Sequence, residues 1–280
     1  MFDTHCHLNF ESFEKNLKSV IKRAQQSGIS HMVVASTDVK TSEKSISIAK
    51  EEKNIYAAIG IHPHHVFKYQ TETGKQETES FINMELNKIN ELVKNKEVVA
   101  IGEVGLDRHY YSKTKYQDYE INEKFMFLQK DFLSRQIKIA IKNKKSLILH
   151  NREASREFLQ LIDEIWSDSL SERTAFHCCE PKKELLEFAK KHKIFIGVDG
   201  DVTYNREKEE FVKEIPIELL VLETDSPFLT PEPERLEKKF PNEPKNLNSI
   251  AEFISRRIDV SLLDLKKITF ENSKKLFNLN

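Results

Sequence analysis

The chain has 280 residues, enough to bury a large core, and its 44 Lys and Arg against 45 Asp and Glu leave a formal charge of −1 and a pI near 6.8. That balance gives no support to sequence-independent coating of nucleic acid by phosphate attraction, although it leaves room for a local cationic cleft. Three cysteines (Cys6 and the adjacent Cys178 and Cys179) form no disulfide framework, and no apolar run approaches the ~20 residues of a membrane span, so a cytoplasmic protein with free thiols and no membrane association is expected.

The chain opens without a basic-then-apolar leader, so Met1 and Phe2 read as the start of a strand that runs into Asp3-Thr4-His5-Cys6-His7. On a strand, side chains two apart share a face. His5 and His7 therefore aim two imidazoles at one spot, half of a tetrahedral metal set. Leu17, Val20, Ile21 and Ala24 lie on one helix face, with Gly28 as a stop. Residues 31–36 read as a buried strand, 41–53 as a helix, and 55–59 as a strand running into Gly60-Ile61-His62-Pro63-His64-His65. A helix is predicted over about 77–94, then a fourth strand at 98–101 that ends in Gly102-Glu103-Val104-Gly105-Leu106-Asp107. A polar, tyrosine-rich connection (108–119) leads to a long helix over about 122–143. Residues 146–149 form a strand leading to His150-Asn151-Arg152-Glu153, and a helix carries Phe158, Leu159, Ile162 and Ile165. The strand 173–176 leads to His177-Cys178-Cys179, followed by a helix around Leu185, Leu186 and Ala189, the strand 194–198 and a short polar helix. The strand 219–222 runs into Glu223-Thr224-Asp225-Ser226-Pro227. Residues 231–244 read as a loop, and helices over about 247–257 and 261–277 close the chain.

Eight short apolar strands separated mostly by helices imply a parallel sheet. Eight such units imply closure into a (β/α)8 (TIM) barrel, here one domain over 1–280 with two extra C-terminal helices. An open nucleotide-binding sheet is disfavoured, because no glycine-rich turn follows the first strand and the chain has only 7 glycines. His5 and His7 follow strand one, Glu103 strand four, His150 strand five, His177 strand six and Asp225 strand eight. Each sits where an apolar strand turns polar, and in a parallel barrel those ends share the active face. Four histidines and two carboxylates exceed the needs of one tetrahedral ion and fit two divalent ions, with Glu103 the natural bridge. Paired ions ~3.5–4 Å apart generate hydroxide and stabilise both oxygens of a displacement.

The ordered stretches Asp3-Thr4-His5-Cys6-His7-Leu8, Gly60 to His64, Ile101 to Asp107, His150 to Ala154, Phe176-His177-Cys178, Leu222 to Pro227 and Asn242-Glu243-Pro244 together resemble the TatD family of metal-dependent deoxyribonucleases. The resemblance implies an amidohydrolase-type barrel that hydrolyses DNA phosphodiesters, often from the 3′ end. By matching positions it implies that His5, His7, Glu103 and Asp225 hold a first ion and that Glu103, His150 and His177 hold a second, looser one nearer the substrate. Asp225 would orient the attacking water and take its proton, while His62, His64 and Arg152 would face substrate phosphate. Two departures stand out. Cys179-Glu180-Pro181 replaces an aromatic and a small polar pair and sets a carboxylate near a phosphate site, and Lys238-Lys239-Phe240-Pro241 keeps a cation without the usual glycine.

Other positions carry weaker expectations. Cys6 and Cys178 should alternate away from the histidines into packing, whereas Cys179 could reach the site. Asp107 and Glu223 could orient ligand histidines or cap loops. The tyrosines at 110, 111, 116 and 119 could stack on bases, or simply pack. Lys142, Lys144 and Lys145 read as solvated surface on the opposite face. The expected activity is hydrolysis of DNA at short single-stranded or 3′ ends with two divalent ions (Mg, Mn or Zn), requiring no oligomer. The alternatives are hydrolysis of another ester, such as D-aminoacyl-tRNA, at the same site, and a non-catalytic metal-binding protein.

Overall fold

A computed structural model describes residues 1–70 and 75–279; for residues 75–78 it describes the backbone only. Eight parallel strands stand in sequence order: β1 (Phe2–Cys6), β2 (His31–Ala35), β3 (Ile55–Ile59), β4 (Val98–Asp107), β5 (Ser146–Arg152), β6 (Thr174–His177), β7 (Phe195–Val198) and β8 (Leu220–Leu222). Between and after them come α1 (Glu11–Glu14), α2 (Leu17–Gln26), α3 (Val39–Glu51), α4 (Lys75–Leu92), α5 (Glu123–Lys142), α6 (Ser155–Ile165), α7 (Lys183–His192), α8 (Arg206–Val212), α9 (Leu247–Arg257) and α10 (Leu262–Leu276). The result is the expected (β/α)8 barrel, nearly closed, with two further helices at the C-terminus.

Side chains and loops complete the closure between β8 and β1. Thr4 Oγ1 donates to the Leu222 carbonyl, the Thr224 N–H and hydroxyl both donate to Asp3, and the His7 N–H donates to the Ser226 carbonyl at 2.7 Å. These bonds satisfy buried polar groups that the short β8 leaves without ladder partners. The lower barrel interior is filled by Phe2, Val33, Ala58, Ala100, Ile148, Ala175, Phe195 and Val221, with Leu276 and Phe277 of the chain's end against them. The larger core lies between the sheet and the ring of helices. Helix starts follow local chemistry: Asp38 accepts the Thr41 N–H at the head of α3, Asn122 the Phe125 N–H at α5, and Ser261 the Asp264 N–H at α10.

The strands β4 and β5 run further than the apolar pattern indicates. β4 continues through Asp107 and β5 through Arg152, with Gly105 opposite His150 and Asp107 opposite Arg152. Hydrophobicity ends at Ile101 and Leu149 because beyond them the inward side chains are polar and line the barrel mouth, while the backbone ladder persists. Gly105 permits this approach: a Cβ there would lie 1.8 Å from the His150 carbonyl oxygen. No helix among the described residues is long and apolar enough to cross a membrane.

Candidate metal centre

The barrel mouth holds a cavity of about 650 Å³, a size typical of small-molecule sites. At its floor lies Glu103, buried, with its two oxygens serving different neighbours. Oε2 stands 3.5 Å from His5 Nε2 and 3.7 Å from His7 Nε2. Oε1 stands 2.6 Å from His150 Nδ1, 3.3 Å from His62 Nε2 and 3.7 Å from His177 Nε2. Asp225 Oδ1 completes the first side, 3.2 Å from His7 Nε2 and 3.7 Å from both His5 Nε2 and His177 Nε2. Asp225 is a left-handed residue (φ 50°) whose N–H donates to the His5 carbonyl, so the loop after β8 folds back over β1.

The outer hydrogen bonds set the tautomers. His7 Nδ1 lies 3.1 Å from the Ala35 carbonyl, which only accepts, so Nδ1 carries the proton and Nε2 turns a lone pair to the centre. His177 Nδ1 stands 2.9 Å from Glu223 Oε1 as an ion-pair contact, without hydrogen-bond alignment. His150 Nε2 faces Asp107 Oδ2 at 3.2 Å, leaving Nδ1 for the Glu103 side once one proton is lost. His62 is different. Its Nδ1 accepts the His64 N–H, so its proton sits on Nε2 and points at Glu103. As placed, His62 is a hydrogen-bond donor rather than a ligand. Gly197 makes room for this second layer, since a Cβ there would lie 2.5 Å from the Glu223 carboxylate oxygens.

The charges are strongly coupled. Burial alone would push the Glu103 carboxyl up, but His62, His177 and His150 outweigh it and hold Glu103 well below the usual carboxylate range. Burial would lower His177, yet Glu223 and Glu103 hold it up at about 10. His150 is held up at about 9, against burial, by its hydrogen bonds with Asp107 and Glu103. Burial, with His177 close by, lowers His5, and burial also lowers His62. A negative floor thus collects protons where it would otherwise collect a cation.

Ligands ~2.1 Å from one tetrahedral ion stand ~3.4 Å apart. His5 Nε2, His7 Nε2 and Asp225 Oδ1 lie 3.2 to 3.7 Å from one another, and Glu103 Oε2 lies 3.5 and 3.7 Å from the two imidazole nitrogens. With the His7 lone pair turned inward, and the buried His5 Nδ1 without a partner, this donor set fits a divalent ion. Glu103 Oε1, His150 Nδ1 and His177 Nε2 offer a second set on the other oxygen, open once His150 and His177 each give up a proton.

The remaining expected residues form the walls. His64 Nε2 meets Thr114 Oγ1 at 2.9 Å among the rings of Tyr111, Tyr116 and Tyr119, where burial lowers it to about 4. Arg152 lies exposed over the Tyr111 ring, 5.3 Å from its centroid, and donates to the Tyr111 hydroxyl. Of the four tyrosines only Tyr110 is exposed, at 62 %; the others pack together, Tyr111 donating to Asp107 and Tyr116 pairing with His65. Asp107 both orients His150 and caps the loop at the His109 N–H. Glu180 lines the cavity, but its oxygens accept from Asn151, Ser155 and the Glu153 N–H, with Lys182 at 3.4 Å. Lys142 and Lys144 are exposed, whereas Lys145 donates to the Val98 carbonyl.

The cysteine expectations invert at one position. Cys6 packs into the core between sheet and helices, as its strand alternation requires. Cys178, however, adopts a left-handed backbone (φ 44°), which breaks the alternation and turns it to the cavity, 3.3 Å from Lys208 Nζ; Cys179 takes the core position. Lys208 also pairs with Asp201 at 2.8 Å and Asp199 at 3.5 Å. This cluster, with Phe10 and Phe228 on the cavity wall, has no sequence signal of the strand-end histidine kind, because it comes from loops and a helix start.

The family model for TatD-related DNases matches residues 2–278. The chain belongs to the TatD family. Like other TatD proteins it is a metal-dependent hydrolase. It is 33% identical over 282 residues to the Bacillus subtilis (strain 168) protein named uncharacterized metal-dependent hydrolase YabD, with 100% of both chains covered. It is 30% identical over 285 residues to the Erwinia amylovora protein named 3′-5′ ssDNA/RNA exonuclease TatD, again covering 100% of both. Among solved structures, the TatD homolog YjjV of Escherichia coli K12 superposes with a TM-score of 0.83 at 22% identity, covering 100% of this chain and 98% of that one, and so shares the fold.

Proposed function

We propose that this TatD protein hydrolyses phosphodiester bonds in DNA, acting on short single-stranded stretches or 3′ ends, and that it uses two divalent ions (Mg, Mn or Zn). The observation that carries this reading is the division of Glu103: one oxygen faces His5 and His7, and the other faces His150 and His177. His5, His7, Glu103 and Asp225 would hold one ion, and Glu103, His150 and His177 the other. Bound there, such ions lower the pKa of water and stabilise charge on the attacking and leaving oxygens.

The chain's own groups supply the rest. Asp225 reaches the cavity from the loop after β8 and is the carboxylate positioned to take the proton of the attacking water. Asp107, Glu223 and the Ala35 carbonyl hold three imidazoles in fixed orientation. Arg152 presents a guanidinium fork suited to a phosphate, braced on Tyr111. His62, with its proton on Nε2, and His64 on the wall are read as neutral partners for phosphate oxygens. The exonuclease name of the Erwinia amylovora relative favours a nucleic-acid end as substrate.

The test is direct. Metal-stripped protein is offered a 5′-labelled single-stranded oligonucleotide with Mg, Mn or Zn added in turn. Stepwise shortening from the 3′ end, lost in Asp225→Asn, is expected. Full activity in Asp225→Asn, or in excess chelator, would contradict the proposal.

A further inference from the structure

One wall of the cavity is apolar and unusually open. Of the large apolar side chains exposed among the described residues, Phe228 alone lines this cavity, at 46 % exposure. Exposed aromatic surface costs about 25 cal/mol per Å² relative to burial, and Phe228 is not a mobile ornament. Its N–H donates to the Asp225 carbonyl at 2.9 Å, and its own carbonyl accepts from Asn242 Nδ2 at 2.7 Å. The same Asn242 nitrogen also holds the Thr224 carbonyl. The loop that delivers Asp225 therefore delivers Phe228 in fixed relation to it.

The ring is also tied to the centre. Phe228 meets Phe10 edge to face at 6.1 Å, Phe10 stacks on His7 at 4.4 Å, and Phe228 stands 6.1 Å from the His7 ring. A rigid aromatic surface thus lies one ring away from an imidazole of the donor set. The same cavity is also lined by the polar groups Arg152 and His64. A ligand that suits both is anionic at one end and flat and apolar at the other, a short distance apart. A nucleotide has this form, with one sugar between phosphate and base. Tyr111, the tyrosine of the 108–119 connection that lines the cavity, is already engaged by Arg152.

We infer that Phe228, braced by Phe10, is a stacking platform for the nucleobase adjoining the scissile phosphate. This rests on the phosphodiesterase reading above and adds a positioning residue to it. Stacking on a phenyl ring tolerates any base, so the platform demands a base without choosing one.

The experiment compares oligonucleotides with normal ends to ones carrying a tetrahydrofuran abasic residue at the last or next-to-last position. Cleavage is measured with metal, and binding by fluorescence anisotropy in EDTA. Wild-type protein is expected to lose roughly tenfold or more in kcat/KM and in affinity on at least one abasic end. Phe228→Ala should fall to that level on normal ends and no longer discriminate, and Phe228→Trp should restore discrimination. If wild type ignores the missing base, or Phe228→Ala discriminates as well as wild type, the inference is overturned. Binding without cleavage would count against the nuclease reading alone, and the anisotropy comparison would still decide the platform.

Discussion

Glu103 shows how a single side chain organises this site. Its two oxygens divide five imidazoles into two groups, and those imidazoles in turn keep it ionised despite burial. The residues behind the imidazoles matter nearly as much, because they decide which ring nitrogen is free. Glu223→Ala should therefore weaken the second ion by about 10–100-fold, since His177 loses the carboxylate that stands against its Nδ1. Competition with a fluorescent chelator measures this, and unchanged affinity would argue against the role. At this scale the sequence is legible where chemistry follows a period. His5 and His7 announce themselves because two imidazoles at the strand repeat share a face. Cys178 does not, because a left-handed residue resets the alternation on which that inference depends. Phe228 and Lys208 stay hidden for another reason: nothing in a loop's local composition says which cavity it borders.

The loop from β8 to α9 is the element on which the proposed chemistry depends most. Asn242 is fully buried and ties it together, donating to the Thr224 and Phe228 carbonyls and accepting from Asn246, while Glu243 pairs bidentately with Arg23 of α2. The short Asn242-Glu243-Pro244 stretch is thus a clamp on the segment that carries Asp225. Asn242→Ala should strand two buried carbonyls and cost about 2–3 kcal/mol, seen as a Tm several degrees lower, and should also depress kcat. An unchanged Tm would remove the clamp from the explanation. The alternation of strands and helices is readable from apolar runs, and α9 falls where the periodicity puts it. The far ends of β4 and β5 are not readable that way, because there the buried face of the strand is polar and the ladder outlasts the hydrophobic pattern.

Considered as a whole molecule, the barrel gathers at one mouth groups that the chain keeps far apart, and their protons are linked to cation binding. His150 and His177 are held at about 9 and about 10, above the ~6.5 of an unfolded histidine. In metal-free protein these raised values contribute stability that is fully present below pH ~6.5 and is lost as pH rises through 9 to 10. A divalent ion must displace the same protons, so metal affinity should rise with pH across the neutral range. Titration calorimetry in buffers of different ionisation enthalpy should show proton release at pH ~7.5; no release would mean that these imidazoles are already neutral. The near-zero net charge bears on the substrate. With few phosphate contacts available, binding of a DNA end should be weak and should fall with salt at a slope of only about −0.7 per contact in log K against log salt, whereas salt-independent tight binding would point to another mode of recognition.

The central claim, two ions sharing Glu103, is tested most directly by counting them. Metal-stripped protein is titrated with Mn or Zn while bound metal and oligonucleotide cleavage are followed together. Wild type should need two equivalents for full activity, His5→Ala/His7→Ala should retain one weakly bound equivalent without activity, and Glu103→Ala should lose both. Full activity at a single equivalent, or two tightly bound equivalents in Glu103→Ala, would contradict it.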